Sequence, residues 1–178
     1  NKWIKNKIYT ILKSLIDLKN LKDKHSSIKA LAYQLYENNG VLKRENVSEY
    51  LKNLGQNERK ILRNLGVKFG RYHIFLHKLI KPEPVILRTL LWKNYHQKYF
   101  KFIPPTFGLN FIEDKDNKNK HFMLLCGFEK FDNYYVRIDI LERLFMQIIN
   151  SGSDQNKEIK LIPEMLNLLG CSKDNFKK

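Results

Sequence analysis

Apolar residues recur at helical spacing over residues 2–19. Trp3, Ile4, Ile8, Ile11, Leu12, Leu15 and Ile16 are interleaved with lysines, which predicts an amphipathic helix whose stripe must pack on something. Ser26 or Ser27 is placed to cap a second helix carrying Ile28, Leu31, Ala32 and Leu35, and Asn38-Asn39-Gly40 stops it. A shorter helical pattern carries Val47, Tyr50, Leu51 and Leu54 and ends at Gly55. Asn57 then caps a helix with Ile61, Leu62 and Leu65, closed by Gly66.

The periodicity changes at Val67. Apolar and polar residues roughly alternate through Phe75, the mark of a half-buried strand or hairpin with Gly70 as bulge or turn. Pro82 and Pro84 bracket a break, and Pro84 suits the first turn of a helix carrying Val85 to Trp92. Pro104-Pro105 is a rigid turn, and Asp114 to Lys120 reads as a mobile charged loop. A helix runs up to Gly127, followed by extended pieces at Phe128–Phe131 and Tyr134–Ile138 around an Asp132-Asn133 turn. Asp139 stands where a cap would, before a helix with Leu141, Leu144, Phe145, Ile148 and Ile149. Ser151 to Asp154 form a loop. Pro163 opens a short helix that turns Met165 and Leu169 inward, Gly170 ends it, and Ser172 caps another helix.

The expected class is mainly α with a few short strands: a multi-helix accessory domain with a helix-turn-helix-like C-terminal corner. It forms one region over 1–178 or two closely packed subdomains, 1–100 helical and 101–178 small α+β.

Composition narrows the function classes. The 178 residues include 33 Lys+Arg against 18 Asp+Glu, a formal charge of +15. Only seven of the basic residues are Arg, as an AT-rich genome would give, but Glu codons are A-rich too, so codon bias does not explain the excess of cations. Such a charge attracts polyanions in a strongly salt-dependent way. Hydrophobic residues make up 43% of the chain, enough for a buried core. Cys126 and Cys171 cannot alone build a disulfide scaffold or a structural zinc site. No apolar run reaches the length of a membrane span, and the N-terminus lacks a secretory signal, so the expected setting is cytoplasmic, with no membrane partner. The chain begins at Asn1 rather than Met, which points to a piece of something longer.

Chemistry-bearing motifs are sparse. No phosphate-cradling GxxxxGK[ST] or GxGxxG occurs, and the histidines lack HExxH spacing. His73 and His77 are four apart, but the alternating pattern puts His73 in a strand with no third ligand nearby, so no metal site and no catalytic residue is assigned. Cationic residues instead recur beside aromatics: Lys43-Arg44, Arg59-Lys60-Arg63, and Lys68 with Phe69, Arg71 and Tyr72. Arg or Lys on phosphates beside rings that stack on bases is how unpaired strands are gripped, although rings such as Phe69, Tyr72 and Phe75 also serve as core. The segment 161–178 has helix-turn-helix grammar and contributes Lys173 and Lys177 as phosphate contacts. The same grammar also builds helical corners that touch no nucleic acid, and the chain stops at Lys178 before a full recognition helix.

Several strings go beyond composition. Ala30-Leu-Ala-Tyr-Gln-Leu-Tyr-Glu-Asn-Asn-Gly-Val-Leu-Lys-Arg44, Leu65-Gly-Val-Lys-Phe-Gly-Arg-Tyr-His-Ile-Phe-Leu76, Leu79-Ile-Lys-Pro82 and Leu90-Leu-Trp92 form one group. Val136-Arg-Ile-Asp-Ile-Leu-Glu-Arg-Leu144 and Pro163-Glu-Met-Leu-Asn-Leu-Leu-Gly-Cys171 form another. Over about residues 28–178 the chain resembles the C-terminal region of alphaproteobacterial superfamily-2 helicases related to the mitochondrial degradosome DExH-type RNA helicase. The resemblance implies a region lying behind two motor domains. ATP and Mg would belong to those motors, and no cofactor is expected in this chain. It also implies single-stranded or duplex RNA or DNA, and the motor domains, as partners.

The contacts expected from charge and position are Lys43, Arg44, Arg59, Arg63, Lys68, Arg71, Lys173 and Lys177. The competing expectation is a docking module that packs Trp3 to Ile16 and Leu87 to Trp92 on the motor or another protein. A stand-alone helix-turn-helix regulator is the weakest reading.

Overall fold

A computed structural model describes residues 1–21, 26–97, 101–115, 118–150 and 163–170. The chain divides into two compact units, Asn1–Pro104 and Pro105–Lys178. Among the described residues the architecture is mainly α with two small three-stranded sheets, and no helix is long and apolar enough to cross a membrane.

In the first unit the N-terminal stripe is carried by two helices, α1 (Lys2–Ile11) and α2 (Lys13–Lys19), because the chain breaks at Leu12. α2 packs on α3 (Ser26–Glu37), whose Ile28, Leu31 and Leu35 are fully buried at the predicted spacing. Burying each such side chain is worth about 1.5–3 kcal/mol. Asn39 (φ 55°) and Gly40 (φ 83°) end α3 with backbone bonds Asn39 N–H to Tyr36 O and Gly40 N–H to Leu35 O, so both end carbonyls find donors. The third helical pattern resolves into a 3-10 turn (Arg44–Val47) and α4 (Ser48–Lys52), with Leu54 buried beyond it.

α5 spans Gln56–Asn64 and starts two residues earlier than Asn57 suggests: Gly55 is its N-cap, and Asn57 lies inside it. The Glu58 carboxylate lies in the space that a side chain at position 55 would take, but as the end of a flexible side chain it can swing aside.

The predicted hairpin is present as β2 (Val67–Phe69) and β3 (His73–Leu76). A strand that periodicity does not reveal, β1 (Val41–Lys43), pairs with the other side of β3. Three residues are too few for a period-2 signal. The antiparallel order β1-β3-β2 aligns Leu42, Ile74 and Phe69 on the face that meets the helical core, and Lys43 with His73 on the other. A second 3-10 turn (His77–Ile80) leads into α6 (Pro82–Tyr95), which Pro82 opens.

α6 buries a cation that the sequence reading passes over. Arg88, 3% exposed, donates from Nη1 to Asn39 O and from Nη2 to Leu79 O, tying α6 to the end of α3 and to the turn before α6.

The second unit carries the sheet β4-β6-β5, from β4 (Phe111–Glu113), β5 (Phe128–Phe131) and β6 (Tyr134–Arg137). α7 (Lys120–Leu125) is capped by Asn119 Oδ1, which accepts from Phe122 N–H at 2.9 Å. α8 (Ile138–Asn150) begins one residue before Asp139, so Asp139 is not its cap but sits in its first turn, held by Arg137 Nε at 2.7 Å. In α9 (Pro163–Leu169) Met165 and Leu168 are buried against Ile140 and Leu144, with Leu169 only partly so. The loop at 151–154, the helix expected after Ser172, and Cys171 lie outside the described residues.

Asp114 and Lys118, in the charged segment after β4, are both held by the sheet. Asp114, its side chain 1% exposed, pairs with Lys130 and accepts from Lys118 N–H at 2.7 Å, while Tyr135 Oη donates to Lys118 O at 2.8 Å. Burial alone would raise the Asp114 pKa, but the hydrogen bonds and positive charge of Lys130 and Lys118 outweigh it and hold the carboxyl below its ordinary 3.8. The Asp114 contribution to stability is therefore complete above that value and is lost as pH falls through the lowered one. The Lys130 ammonium, raised above 10.5 chiefly by its hydrogen bond to Asp114, contributes below 10.5 and loses its part as pH climbs beyond. Asp114→Asn is expected to destabilise the second unit by about 2 kcal/mol. Urea unfolding followed by hydrogen exchange of the β6 amides checks this; protection unchanged from the native chain refutes it.

Candidate nucleic-acid interface

The net charge is not shared between the units. Residues 1–104 hold 22 Lys+Arg and 7 Asp+Glu, a net of +15, whereas residues 105–178 hold 11 of each and are balanced. A field of that strength on about a hundred residues draws polyanions to the first unit.

Within it, six of the eight expected contacts converge on the β1-β3-β2 sheet and the helix beside it. α5 packs on β2 and sets Arg59 and Arg63 one turn apart on the same side. Both guanidinium groups lie over the Phe69 ring, at 5.9 Å and 5.6 Å from its centroid. Their roles differ. Arg59 is half-buried and donates Nη2 to Leu51 O at 2.8 Å and Nε to Leu54 O at 3.2 Å, so it closes the end of α4. Arg63 is exposed and keeps its charge at the surface.

Arg44 is also a brace. Its backbone N–H donates to Tyr72 O at 2.7 Å and its Nη1 reaches past β3 to Gly70 O at 2.8 Å. Lys43, half-buried, is paired in register with His73. Lys68 and Arg71 are exposed, on β2 and at the tip of the hairpin. The surface cations of the group are therefore Arg63, Lys68 and Arg71, while Arg44 and Arg59 commit donors to backbone carbonyls. Lys173 and Lys177 lie outside the described residues.

Of the aromatics, Phe75 is 4% exposed and belongs to the interior, Phe69 is half-buried under its two arginines, and Tyr72 is 46% exposed beside Arg71. The bracing by Arg44 and Arg59 has no sequence signature, because both act on main-chain carbonyls that any residue type supplies. Arg88 does leave a signal, a lone charge inside the apolar run from Val85 to Trp92.

His73, 2% exposed, sits in β3 as expected, and His77 starts the following turn with its ring 6.4 Å from Phe75. Among the described residues no three His, Cys, Asp or Glu side chains gather as a metal site would require. Cys126 is buried.

Comparison with protein-family models, with curated proteins and with solved structures returns no match.

Proposed function

We propose that this chain is a nucleic-acid-binding accessory region of an ATP-dependent RNA or DNA helicase, working in the cytoplasm beside motor domains that hold the ATP and Mg. The observation that carries the binding is the confinement of the whole +15 charge to residues 1–104, with Arg63, Lys68 and Arg71 exposed around one hairpin. The helicase setting rests on the resemblance alone. Phosphate neutralisation releases counterions, so affinity depends steeply on salt.

With phosphates on the three exposed cations Arg63, Lys68 and Arg71, single-strand affinity should fall by about 20-fold between about 50 and 200 mM salt. The double variant Arg63→Glu, Arg71→Glu should bind more weakly on every sequence and give a shallower slope. Fluorescence anisotropy with a labelled oligonucleotide measures both. A flat salt dependence would sink the proposal.

A second reading, protein docking, draws on a different observation. Most of the expected N-terminal stripe is used by the unit itself: Leu12 and Leu15 are buried, and Ile8, Ile11 and Ile16 pack on its core. Trp3 and Ile4 on α1 stay exposed, as do Ile86, Leu90 and Leu91 on α6, two helices joined by the ion pair Lys7–Glu83 at 3.1 Å. If no oligonucleotide binds even at low salt, that face becomes the functional surface.

A further inference from the structure

The hairpin tip is held by more bonds than a four-residue turn needs. Gly70 N–H donates to His73 O at 2.8 Å, which closes the turn. The Gly70 carbonyl accepts from the Arg44 guanidinium and the Tyr72 carbonyl from the Arg44 N–H, so one residue, directly after β1, fixes both ends of the Arg71-Tyr72 pair. Behind the tip, Phe69 aligns with Ile74 in the ladder and is covered by Arg59 and Arg63. The backbone of the tip thus has fixed positions, while Arg71 and Tyr72 face solvent.

At the tip an aromatic ring 46% exposed stands on a clamped turn, next to an exposed arginine. It has the features of a stacking platform. A ring carried on a fixed backbone leaves only side-chain freedom to be lost when a base settles on it, and every base offers a π-face. Bases inside a duplex are already stacked on each other and cannot reach such a ring without being pulled out.

We infer that Tyr72 is the base-stacking residue of this interface, and that the tip makes the first unit select unpaired strands over duplex. Arg71, Lys68 and Arg63 take the flanking phosphates. This inference rests on the nucleic-acid reading above and adds to it the substrate class.

The test uses the full chain with three probes: a labelled oligo(dA), the matching oligo(dA)·oligo(dT) duplex, and heparin, a polyanion without bases. The native chain should bind the single strand more tightly than the duplex. Tyr72→Ala should lose about 10-fold on the single strand, with changes below about 2-fold on duplex and heparin. Tyr72→Phe, which keeps the ring and drops the hydroxyl, should bind like the native chain. Arg63→Glu should weaken all three probes.

Equal loss on all three probes in Tyr72→Ala, or no loss on the single strand, overturns the stacking assignment. If Arg63→Glu still weakens every probe in that case, phosphate binding stands without it. If the native chain binds none of the probes, both the stacking role and the nucleic-acid reading fall together.

Discussion

Arg88→Met is expected to destabilise the first unit by about 3–4 kcal/mol. The substitution keeps an unbranched apolar stem and removes the guanidinium, so the Asn39 and Leu79 carbonyls both lose the partner that reaches them inside the unit. Leaving a buried acceptor unsatisfied costs about 1–3 kcal/mol, and two are affected. Removing the desolvated charge returns part of that, which is why the sum is not larger. Arg88→Lys should fall between, because a single ammonium cannot reproduce a planar fork aimed at two carbonyls. Both tryptophans, Trp3 and Trp92, lie in residues 1–104, so their fluorescence during urea unfolding reports this unit alone. An Arg88→Met midpoint equal to the native one would show that the fork is dispensable.

The second large effect is expected a residue away from the Asn39 carbonyl. Gly40→Ala should destabilise the same unit by about 3 kcal/mol. At φ 83° an L-residue carries roughly 1–2 kcal/mol of strain. In addition, the new Cβ would lie 2.5 Å from Leu79 Cδ1 and 3.2 Å from Leu76 Cδ1, two side chains buried in the core, and overpacking of this kind adds about 1–3 kcal/mol. Gly66→Ala separates the two contributions. Its φ of 94° imposes the same backbone strain, but the nearest atom would be Leu76 Cδ2 at 3.9 Å, an ordinary contact. Tryptophan fluorescence should therefore show Gly66→Ala losing only about 1–2 kcal/mol. Equal losses in the two variants would mean that the packing at Gly40 yields freely.

These two sites illustrate what a sequence makes legible. The stop at Asn38-Asn39-Gly40, the closing glycine at position 66 and the hairpin from Val67 are readable because the causes are local: a left-handed residue after a helix, and alternation within a strand. The β5–β6 pair around Asp132-Asn133 is readable for the same reason, and Asp132 does adopt positive φ. β1 and β4 are not, since each is short and, unlike β2, is not joined by a tight turn to the strand it pairs with, β3 or β6.

Caps are legible as a class but slip in position. Asn57 and Asp139 both fall within the first turn of their helices: α5 takes Gly55 as its N-cap, and Asp139 pairs with Arg137. For the candidate interface, the grouping of cations and rings in residues 43–72 is visible in the chain, and the sheet draws them together. The split between surface cations and braces is not visible, since it depends on which carbonyls Arg44 and Arg59 meet across the fold.

The concentration of like charge in residues 1–104 has an effect on the fold as well as on any ligand. Fifteen uncompensated positive charges repel one another in the compact state and less so in an expanded chain, so dissolved electrolyte, by damping that repulsion, favours the folded first unit while leaving the balanced residues 105–178 largely indifferent. Under the proposed function the same electrolyte would loosen the hold on a polyanion. Tolerance to brine and strength of grip would then pull in opposite directions, and a bound strand would take over the damping that the ions otherwise supply.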